Sequence, residues 1–358
     1  MSNKEIKVVV NARFLTQKLT GVQRFAFELS VRLRKIFGEG ICFVAPTGVI
    51  QEEMASVLNP IIVGKHSGYI WEQMELPRYL KKHGNPFLLN LCSVAPLFYK
   101  KNIIAIHDIT WVRYPETYSW RFRMVYDMLI PLLIRKAKHL ITVSEFSKGE
   151  LISHYKLPNP KISVVYNAVG SQFKQISDKI LVKENYFLAV SSVKANKNFE
   201  AVLKAFEHVY LQNPELNLYI IGDCDEDNFK SINISRYKKN KSIRFLGRVS
   251  DKDLILYYSN AVAFVFPSLY EGFGIPVIEA QACGCPVLSS NTSSLPEVLA
   301  ESALFFHPDD IARLAGLMEE IHSNQELRKN IIEKGYKNYE RFTWEDGANK
   351  IADMLRAN

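Results

Sequence analysis

The chain has 358 residues, which is more than a single hydrophobic core usually holds, so we expect two domains. Apolar residues make up 47% and charged residues 23% of it, a composition that excludes disordered and fibrous proteins. No apolar run is long enough to span a membrane, and the polar start MSNKEIKVVV does not resemble a signal peptide. We therefore expect a cytoplasmic protein.

The five cysteines are scattered, as in a reduced cytosolic protein and unlike a disulfide framework. Cys283 and Cys285 form a C-x-C pair. Because no second cluster accompanies them, we expect small buried residues rather than metal ligands.

Positive charge is concentrated in the first half of the chain. Residues 1–170 carry a net charge of +11, whereas residues 171–358 carry −3. This asymmetry indicates contact with anions such as phosphate groups, an anionic membrane surface or nucleic acid. A solvated basic surface without a ligand is the alternative. The interleaved basic and aromatic motifs of nucleic-acid modules are not evident, so no nucleic-acid partner is expected.

Apolar strand-like runs alternate with helical patterns along the whole chain. Between the first two runs, GVQRFAFELSVRLRKIF has apolar residues at helical spacing. The predicted strands of the first half are 6–10, 41–45, 87–90, 102–107, 140–143 and 162–166. After a polar loop, the predicted strands of the second half are 186–191, 216–222, 242–247, 261–266, 286–290 and 303–307.

Short apolar strands that alternate with helices are typical of parallel sheets covered on both faces. Two such series predict an α/β protein with two doubly wound, Rossmann-like domains, at residues 1–170 and 171–341. Ligands of such sheets bind beyond the carboxyl ends of the strands. We therefore expect the two domains to face each other across a cleft.

The segment YEGFGIPVIEAQACG, residues 270–284, places two glutamates in an otherwise apolar stretch. Glu271 follows a predicted strand, where a ligand would bind. Gly274 permits close backbone approach, and Pro276 favours the first turn of a helix whose free N–H groups can bind an anion. Glu279 lies about one turn into that helix.

Two carboxylates around a helix N-terminus suit a ligand with hydroxyl pairs at both ends and phosphates between them. Ionised carboxylates only accept hydrogen bonds, which matches vicinal diols. A glycosidase pair would instead stand on either side of one bond, roughly 5–10 Å apart, which a single loop and helix do not favour. The pattern therefore indicates a nucleotide sugar. The structural alternative is that Glu271 caps the helix and Glu279 pairs with a buried arginine.

The segment resembles the E-x7-E motif of retaining, Leloir-type glycosyltransferases of family 4, which have the GT-B fold. The resemblance covers nearly the whole chain. The stretches at 106–116 and 142–151 resemble acceptor-side segments of that family. The stretch at 339–355 resembles the final helix that returns to the first domain, so residues 342–358 are expected to belong there. The matching stretches are TGVQRFAFEL (20–29), IHDITWVRYPE (106–116), TVSEFSKGEL (142–151), VVYNAV (164–169), SSLPEV (293–298) and YERFTWEDGANKIADML (339–355).

The resemblance implies roles for the donor-binding residues. Glu271 matches the glutamate that holds the hydroxyls of the transferred sugar, and Glu279 matches the ligand of the ribose. Backbone contacts with the donor are implied for Gly272, Phe273, Gly274 and Ile275.

Three residues outside that segment also match the family. His107 matches the histidine that helps to position the transferring sugar, and Asp108 could fix its tautomer; a histidine at a strand end is otherwise a structural residue. Gly21 matches the loop glycine that approaches the diphosphate. Lys197 matches the lysine that neutralises the leaving diphosphate, where a fixed cation stabilises growing negative charge.

The chain departs from the family at two places. Ser191 and Ser192 stand where many relatives have Gly-Arg, so a phosphate-binding arginine is missing. Arg248, at the end of a predicted strand, is a candidate substitute, and an ordinary surface arginine is the alternative. Ala168 stands where relatives have a glycine at the domain junction.

No cofactor and no metal are expected. The D-x-D of GDCDED, Asp223 and Asp225, is a metal-binding pattern in a different glycosyltransferase fold, but acidic loop residues are commonly just solvated. Lys197 and the helix N-terminus at Gly274 and Ile275 are expected to provide the positive potential instead.

The predicted function is retaining transfer of a mannose-like or similar hexose from a nucleoside-diphosphate sugar to a lipid-linked or glycan acceptor. The resemblance to this family implies bacterial surface polysaccharide synthesis (O-antigen, capsule or exopolysaccharide), with GDP-mannose, UDP-hexose or dTDP-rhamnose as donor. One alternative is a non-catalytic binder of sugar nucleotides or nucleic acid. Another is an NAD-dependent oxidoreductase, which would need G-x-G-x-x-G where the chain has NARFLTQKLTG.

The stretch SWRFRMVYDMLIPLLIRKAKH, residues 119–139, predicts an apolar helix with several basic residues. It is either a core helix with a solvated basic side or a helix that docks on anionic lipid headgroups. The second interpretation predicts a peripheral protein of the cytoplasmic membrane face.

Overall fold

The computed structural model describes residues 7–158, 161–176, 185–190, 195–222 and 234–357, which form an α/β protein. The strands in these ranges are β1 (Val8–Asn11), β2 (Ile41–Ala45), β3 (Ile61–Ile62), β4 (Phe87–Asn90), β5 (Asn102–Ala105), β6 (His139–Thr142), β7 (Ile162–Val164), β8 (Tyr186–Val190), β9 (Asn217–Ile221), β10 (Ile243–Gly247), β11 (Ala263–Phe266), β12 (Val287–Ser290) and β13 (Leu304–Phe306).

Helices connect these strands. They are α1 (Gly21–Phe37), α2 (Glu52–Leu58), α3 (Gly68–Ile70), α4 (Leu76–Lys82), α5 (Thr110–Arg113), α6 (Trp120–Lys136), α7 (Glu145–Tyr155), α8 (Phe199–Gln212), α9 (Ile234–Lys238), α10 (Asp251–Asn260), α11 (Ile275–Ala282), α12 (Leu295–Leu299), α13 (Ile311–Ser323), α14 (Gln325–Tyr339) and α15 (Trp344–Arg356). A π-helical turn, Trp71–Glu75, joins α3 to α4, and short 3-10 turns include Arg13–Thr16, Pro115–Thr117 and Ala195–Lys197.

The strands form two parallel sheets. One has the order β3-β2-β1-β4-β5-β6-β7 and the other β10-β9-β8-β11-β12-β13. In each sheet the winding direction reverses once, between β1 and β4 and between β8 and β11, which is the doubly wound topology. The predicted fold class is therefore confirmed. Ligands of such sheets bind beyond the carboxyl ends of the strands at the point of reversal.

Each strand predicted from the sequence is present, with bounds within two residues of the prediction. Continuous apolar runs identified them because helices cover both faces of each sheet. The prediction missed β3, which contains only Ile61 and Ile62, both exposed at the sheet edge. The apolar run at this strand, Ile61 to Val63, is only three residues long, which is too short to indicate a strand.

The chain divides into two compact units. The first comprises Met1–Ile109, Tyr118–Asn167 and Thr343–Asn358, and the second comprises Thr110–Thr117 and Ala168–Phe342. The segment Thr110–Thr117 thus groups with the second unit, although all of residues 1–170 were expected in the first. The reason is packing: the Tyr114 ring lies 6.0 Å from the Tyr270 ring.

In the first unit, the C-terminal helix α15 packs on α1. Phe25 contacts Trp344 with ring centroids 6.0 Å apart, and Arg32 Nε lies 3.0 Å from Glu345 Oε1. A Cβ atom on Gly347 would lie 3.1 Å from side-chain carbons of Leu29 and Val165, so a larger residue would require these side chains to shift by a few tenths of an ångström. This contact fixes the face of α1 that carries Phe25, against which His107 also packs.

The second unit has its own core, formed mainly by α8, α13 and the strands between them. The central strands β8, β11 and β12 are buried along almost their whole length. Their carboxyl ends therefore hold the loops that follow in fixed positions. None of the helices in the described ranges is both long enough and apolar enough to cross a membrane.

Candidate active site

Glu271 lies in the loop beyond β11, and hydroxyl groups from the loop beyond β12 hold its backbone. Its N–H donates to Ser293 Oγ at 3.0 Å, and Ser294 Oγ donates to its carbonyl oxygen at 3.0 Å. Ser268, three residues before Glu271, is held in a similar way, because Thr292 Oγ1 donates to its carbonyl oxygen at 3.0 Å. The carboxylate therefore projects from a backbone that is fixed on both sides.

A glycine turn connects this loop to α11. Gly274 has φ +93°, and a Cβ atom there would lie 2.8 Å from Leu295 Cδ2, so both conformation and space require glycine. Ile275 begins the helix, and Pro276 occupies its first turn without needing a hydrogen-bond acceptor. The first N–H groups of a helix have no intrahelical acceptor and attract anions. This end of α11 can therefore hold a phosphate group.

Lys197 approaches Glu271 from the 3-10 turn beyond β8. The turn is tied to the glutamate loop, because Leu269 N–H donates to the Asn196 carbonyl at 2.8 Å and Asn196 Nδ2 donates to the Tyr270 carbonyl at 3.1 Å. Lys197 Nζ lies 2.5 Å from Glu271 Oε1, and the two side chains are 17% and 12% exposed. Two residues with separately predicted roles thus form one ion pair at the reversal point of the second sheet.

Glu279 lies on α11, one turn beyond its start, and is 8% exposed. A rise of about 1.5 Å per residue places its Cα roughly 6 Å along the helix from Ile275. Tyr258 of α10 is close to it: burial raises the Tyr258 pKa well above its usual value, and the Glu279 charge adds to that shift. A mostly buried carboxylate beside Tyr258 can accept a hydrogen bond from a neutral hydroxyl group, such as one of a ribose.

The aromatic residue of the Gly-Phe-Gly turn points into the second unit. Phe273 is buried, and its ring packs edge-on against Phe342 with centroids 5.3 Å apart. Its side chain anchors the turn, so a contact with the donor could come only from its backbone. The same holds for Gly272, which has no side chain.

Arg248 follows β10, the edge strand of the second sheet, and is exposed. Since neighbouring strands are about 4.8 Å apart, β10 lies roughly 10 Å from β8. Arg248 therefore stands at the correct edge of the sheet but two strands away from the loop of Lys197. Its predicted role in phosphate binding stays a prediction.

Ser191, Ser192, Asp223 and Asp225 lie outside the described residues. In the part of the chain that the structure describes, no group of three or more His, Cys, Asp or Glu side chains could hold a metal ion. The expectation that transfer needs no metal stays a prediction.

His107 lies two residues beyond β5 in the first unit and is buried. Its Nε2 donates to the Leu91 carbonyl at 2.9 Å, and its ring stands edge-on to Phe25 at 4.8 Å. Burial lowers the His107 pKa below its usual value, although the Leu91 hydrogen bond and the Asp108 charge oppose the shift. The ring is therefore neutral near pH 7, with the lone pair on Nδ1.

Gly21 is the first residue of α1, also in the first unit, and is exposed. Thr20 caps this helix: its side chain accepts from the Val22 N–H, while Gln23 Oε1 accepts from the Thr20 N–H at 3.1 Å. The cap fixes the glycine at a helix N-terminus, a position compatible with its predicted approach to a phosphate.

Several residues that shape the site were not singled out by the sequence analysis. Asn196 ties the lysine turn to the glutamate loop, and Ser293 and Ser294 hold the Glu271 backbone. Tyr114 packs beside Tyr270, next to the glutamate. The stretch SSLPEV marked the serines as a family feature, but nothing in the sequence indicated which backbone groups they contact.

The chain resembles proteins of known activity over most of its length. It is 29% identical to the O-antigen chain mannosyltransferase RfbU of Salmonella typhimurium over 323 residues, which cover 85% of this chain and 87% of the relative. It is 25% identical to the O-antigen chain mannosyltransferase B of Escherichia coli, covering 95% of this chain and 97% of the relative. Among solved structures, sucrose-phosphate synthase from Thermosynechococcus elongatus matches with a TM-score of 0.77 at 18% identity, covering 99% of both chains.

Two family models match consecutive parts of the sequence. The model described as Glycosyltransferase Family 4 matches residues 19–173, and the model described as Glycosyl transferases group 1 matches residues 172–338. The second match contains the ion pair, the glycine turn and both glutamates. From the matched residues and the two doubly wound sheets together, the chain belongs to the group 1 glycosyltransferases of the GT-B fold.

Proposed function

We propose that this glycosyltransferase transfers mannose or a similar hexose, with retention, from a nucleoside-diphosphate sugar to a glycan or lipid-linked acceptor in bacterial surface polysaccharide synthesis. Its similarity to two O-antigen chain mannosyltransferases supports this acceptor class and makes GDP-mannose the first donor to test. UDP-hexoses and dTDP-rhamnose are the next candidates.

The observation that carries the proposal is the Lys197–Glu271 pair beside the N-terminus of α11. In the proposed complex, Glu271 accepts hydrogen bonds from the sugar hydroxyls, while Lys197 and the helix N-terminus contact the diphosphate. Glu279 accepts from the ribose. As the sugar departs, negative charge grows on the diphosphate, and a preorganised cation stabilises it. Family resemblance assigns His107 and Gly21 to the same donor.

The donor is tested by thermal shift of the full chain with GDP, UDP and dTDP, followed by nucleotide release from the matching sugar nucleotides. We expect one nucleoside diphosphate to raise the melting temperature and its sugar to be turned over when acceptor is present. Binding without any turnover would instead support the non-catalytic binder.

Retention rests on the family resemblance. Proton NMR of the fresh product should show the anomeric coupling of the donor. An inverted product would contradict the proposal.

We further propose that an exposed face of α6 holds the protein on anionic membranes. Trp120, Met124, Met128 and Leu132 recur every four residues and are between 38% and 66% exposed. This spacing places them in one stripe along the helix. The opposite face, with Ile130 and Leu133, is buried, so α6 is apolar on both sides.

Basic residues accompany the stripe. Arg121, Arg135 and Lys136 of α6 are exposed, and the Lys136 ammonium lies 4.6 Å from the ring of Phe98, which is 83% exposed. Apolar and cationic side chains on one surface match the acyl boundary and the anionic headgroups of a bilayer. This contact would bring the enzyme to a lipid-linked acceptor.

Liposome co-sedimentation tests the membrane contact. We expect binding to anionic but not to neutral liposomes, weaker binding at high salt because ions screen exposed charges, and loss of binding in a Trp120→Ser/Met128→Ser variant. Leu211→Ser is the matched control, because Leu211 is 81% exposed on another helix. Equal binding to neutral and anionic liposomes would contradict the proposal, as would equal losses in the control.

A further inference from the structure

A buried polar cluster lies at the reversal point of the first sheet. It consists of Asn11, Arg13, Glu72 and Asn90, which we call the Asn11 cluster. Asn11 and Asn90 end the neighbouring strands β1 and β4, between which the winding direction reverses. Asn11 Nδ2 donates to Asn90 Oδ1 at 3.1 Å and to Glu72 Oε1 at 2.7 Å. The cluster thus occupies the place where a doubly wound sheet usually binds its ligand.

Glu72 is completely buried, on the π-helical turn between α3 and α4. Its Oε1 accepts from Asn11 and lies 3.3 Å from Arg13 Nε. Its other oxygen, Oε2, is buried and has no hydrogen-bond partner in the described part of the chain. An unpaired buried carboxylate oxygen is costly, and π-helical turns are frequent at functional sites. The unused oxygen therefore indicates a missing donor group.

Arg13 lies beside this carboxylate and is partly exposed. Its Nε faces Glu72, its guanidinium lies 5.2 Å from the centroid of the Tyr69 ring, and its side chain is 12% exposed. The Glu72 contact uses Nε, so the terminal nitrogens Nη1 and Nη2 can donate to a ligand. Asn11 acts as a positioning residue for Glu72, whose Oε1 holds the guanidinium and whose Oε2 is left as an acceptor.

The cluster also adjoins His107. The Leu91 carbonyl, which accepts from His107 Nε2, follows Asn90 directly in the chain. Asn11, Asn90 and His107 thus come from the ends of β1, β4 and β5, three neighbouring strands of one sheet. A ligand at the Asn11 cluster would lie on the same edge of the sheet as the imidazole.

The charges in the cluster determine whether it can bind an anion or a neutral group. Arg13 and Glu72 form an ion pair, so the cluster offers a phosphate or carboxylate no net positive charge. A neutral hydroxyl group can accept from the guanidinium and donate to Glu72 Oε2 at the same time. Vicinal hydroxyls of a sugar fit this pairing of donors and acceptor.

We propose that the Asn11 cluster binds hydroxyl groups of the terminal sugar of the acceptor. This inference rests on the proposed function, because it supplies the second substrate of the same transfer. The competing explanation is that the cluster only fixes the connection between β1 and α1, in which case its side chains affect folding and no ligand.

The test is saturation-transfer difference NMR of the full chain with methyl α-mannoside, α-galactoside, α-rhamnoside and N-acetylglucosaminide as probes. It compares wild type with Arg13→Ala and Glu72→Gln, which replaces Oε2 by an amide donor while keeping Oε1 as acceptor. Lys18→Ala is the matched control, since Lys18 is an exposed cation on the same connection. Glu271→Ala separates this site from the donor-sugar site.

We expect at least one glycoside to bind wild type, Lys18→Ala and Glu271→Ala alike. Arg13→Ala and Glu72→Gln should weaken that binding on the order of 10- to 100-fold, as expected for one charge-assisted hydrogen bond. Melting temperatures check folding, and Arg13→Lys, which keeps the charge but not the fork, should be intermediate.

Two results would overturn the inference. One is glycoside binding that Arg13→Ala and Glu72→Gln leave intact. The other is the absence of glycoside binding in wild type that binds a nucleoside diphosphate in the thermal-shift test. If no nucleotide binds either, the proposed function itself fails.

Discussion

The reversal points of the two sheets bring charged residues together in different ways. In the second unit, the ion pair comes from two short segments, Ala195–Lys197 and the loop before α11, and both charges are partly exposed. In the first unit, the Asn11 cluster joins residues as distant in the chain as Asn11 and Asn90, and Glu72 is fully buried. The topology is the same, and both sites join residues more than 60 positions apart in the chain. They differ because one loop and helix supply Glu271, Gly274 and Glu279 in the second unit, whereas no single loop and helix supplies the Asn11 cluster.

Sheet topology determines where polar side chains collect, and the loops determine which residues these are. Parallel strands bring their carboxyl ends to one edge, so polar side chains collect there in both units. Whether they form a recognisable motif depends on how much of the site a single loop and helix supply. Substitutions in the two units test this difference.

Lys197→Ala should lower turnover on the order of 10²–10³-fold, as loss of a preorganised charge stabiliser does. It also leaves the Glu271 carboxylate without its partner at 2.5 Å. The measurement is donor turnover in the presence of EDTA. Lys197→Arg, which keeps the charge, should restore part of the activity.

The double variant Lys197→Ala/Glu271→Ala sharpens this result. If the two residues act as one unit, its turnover should be no lower than that of the worse single variant. Fully additive losses would mean that the two residues contribute to transfer independently and not as a pair. Activity that EDTA abolishes and magnesium restores would contradict the metal-free mechanism.

Glu279→Ala should weaken nucleotide binding on the order of 10- to 100-fold, because it removes one charge-assisted hydrogen bond to the ribose. Isothermal titration with the nucleoside diphosphate found by thermal shift measures the change. Tight binding by this variant would show that the ribose contact is assigned to the wrong residue.

Gly274→Ala should destabilise the protein by roughly 1–3 kcal/mol, because alanine at φ +93° is strained and its Cβ would meet Leu295 at 2.8 Å. Gly316→Ala is the control, since no atom lies within 4 Å of a Cβ in that helix. Urea unfolding should show the control unchanged or slightly more stable. Equal effects of the two changes would mean that the glycine turn is not under conformational constraint.

The smallest effect is expected at His107. Burial lowers its pKa below the ordinary value of about 6.5, so the unfolded chain takes up a proton at a pH where the folded ring does not. Its contribution to stability is therefore complete above about pH 6.5 and is lost as the pH falls below that value.

His107→Gln, which can still donate to the Leu91 carbonyl, provides the reference without titration. Urea unfolding between about pH 5 and pH 8 should show the stability advantage of wild type over this variant decreasing at low pH. An advantage that is constant with pH would contradict the assignment of a neutral buried imidazole.

The sequence predicts much of this fold, for a physical reason. Strands covered on both faces must be continuously apolar, and such runs are visible without a structure. The grouping of Thr110–Thr117 with the second unit was not predictable, because it depends on the packing of Tyr114 against a residue far along the chain.

The same distinction between local patterns and long-range contacts applies to the candidate site. The placement of Glu271, Gly274 and Glu279 in one loop and the helix that follows could be predicted because they have a recognisable spacing. The ion pair with Lys197 could not, since 74 positions separate the two residues. Glu72 could not be predicted for the same reason, because only the folded sheet brings it into contact with Asn11 and Arg13.

The segment Thr110–Thr117 limits how this enzyme can be recombined. The chain crosses between the units after Ile109, Thr117, Asn167 and Phe342, so the two halves of the sequence are not separate modules. A chimera that takes its first half from one relative and its second half from another would place a foreign Pro115–Thr117 turn against Ala195–Lys197. We therefore expect that an exchange of halves between relatives keeps both units intact only if Thr110–Thr117 is transferred with the second half.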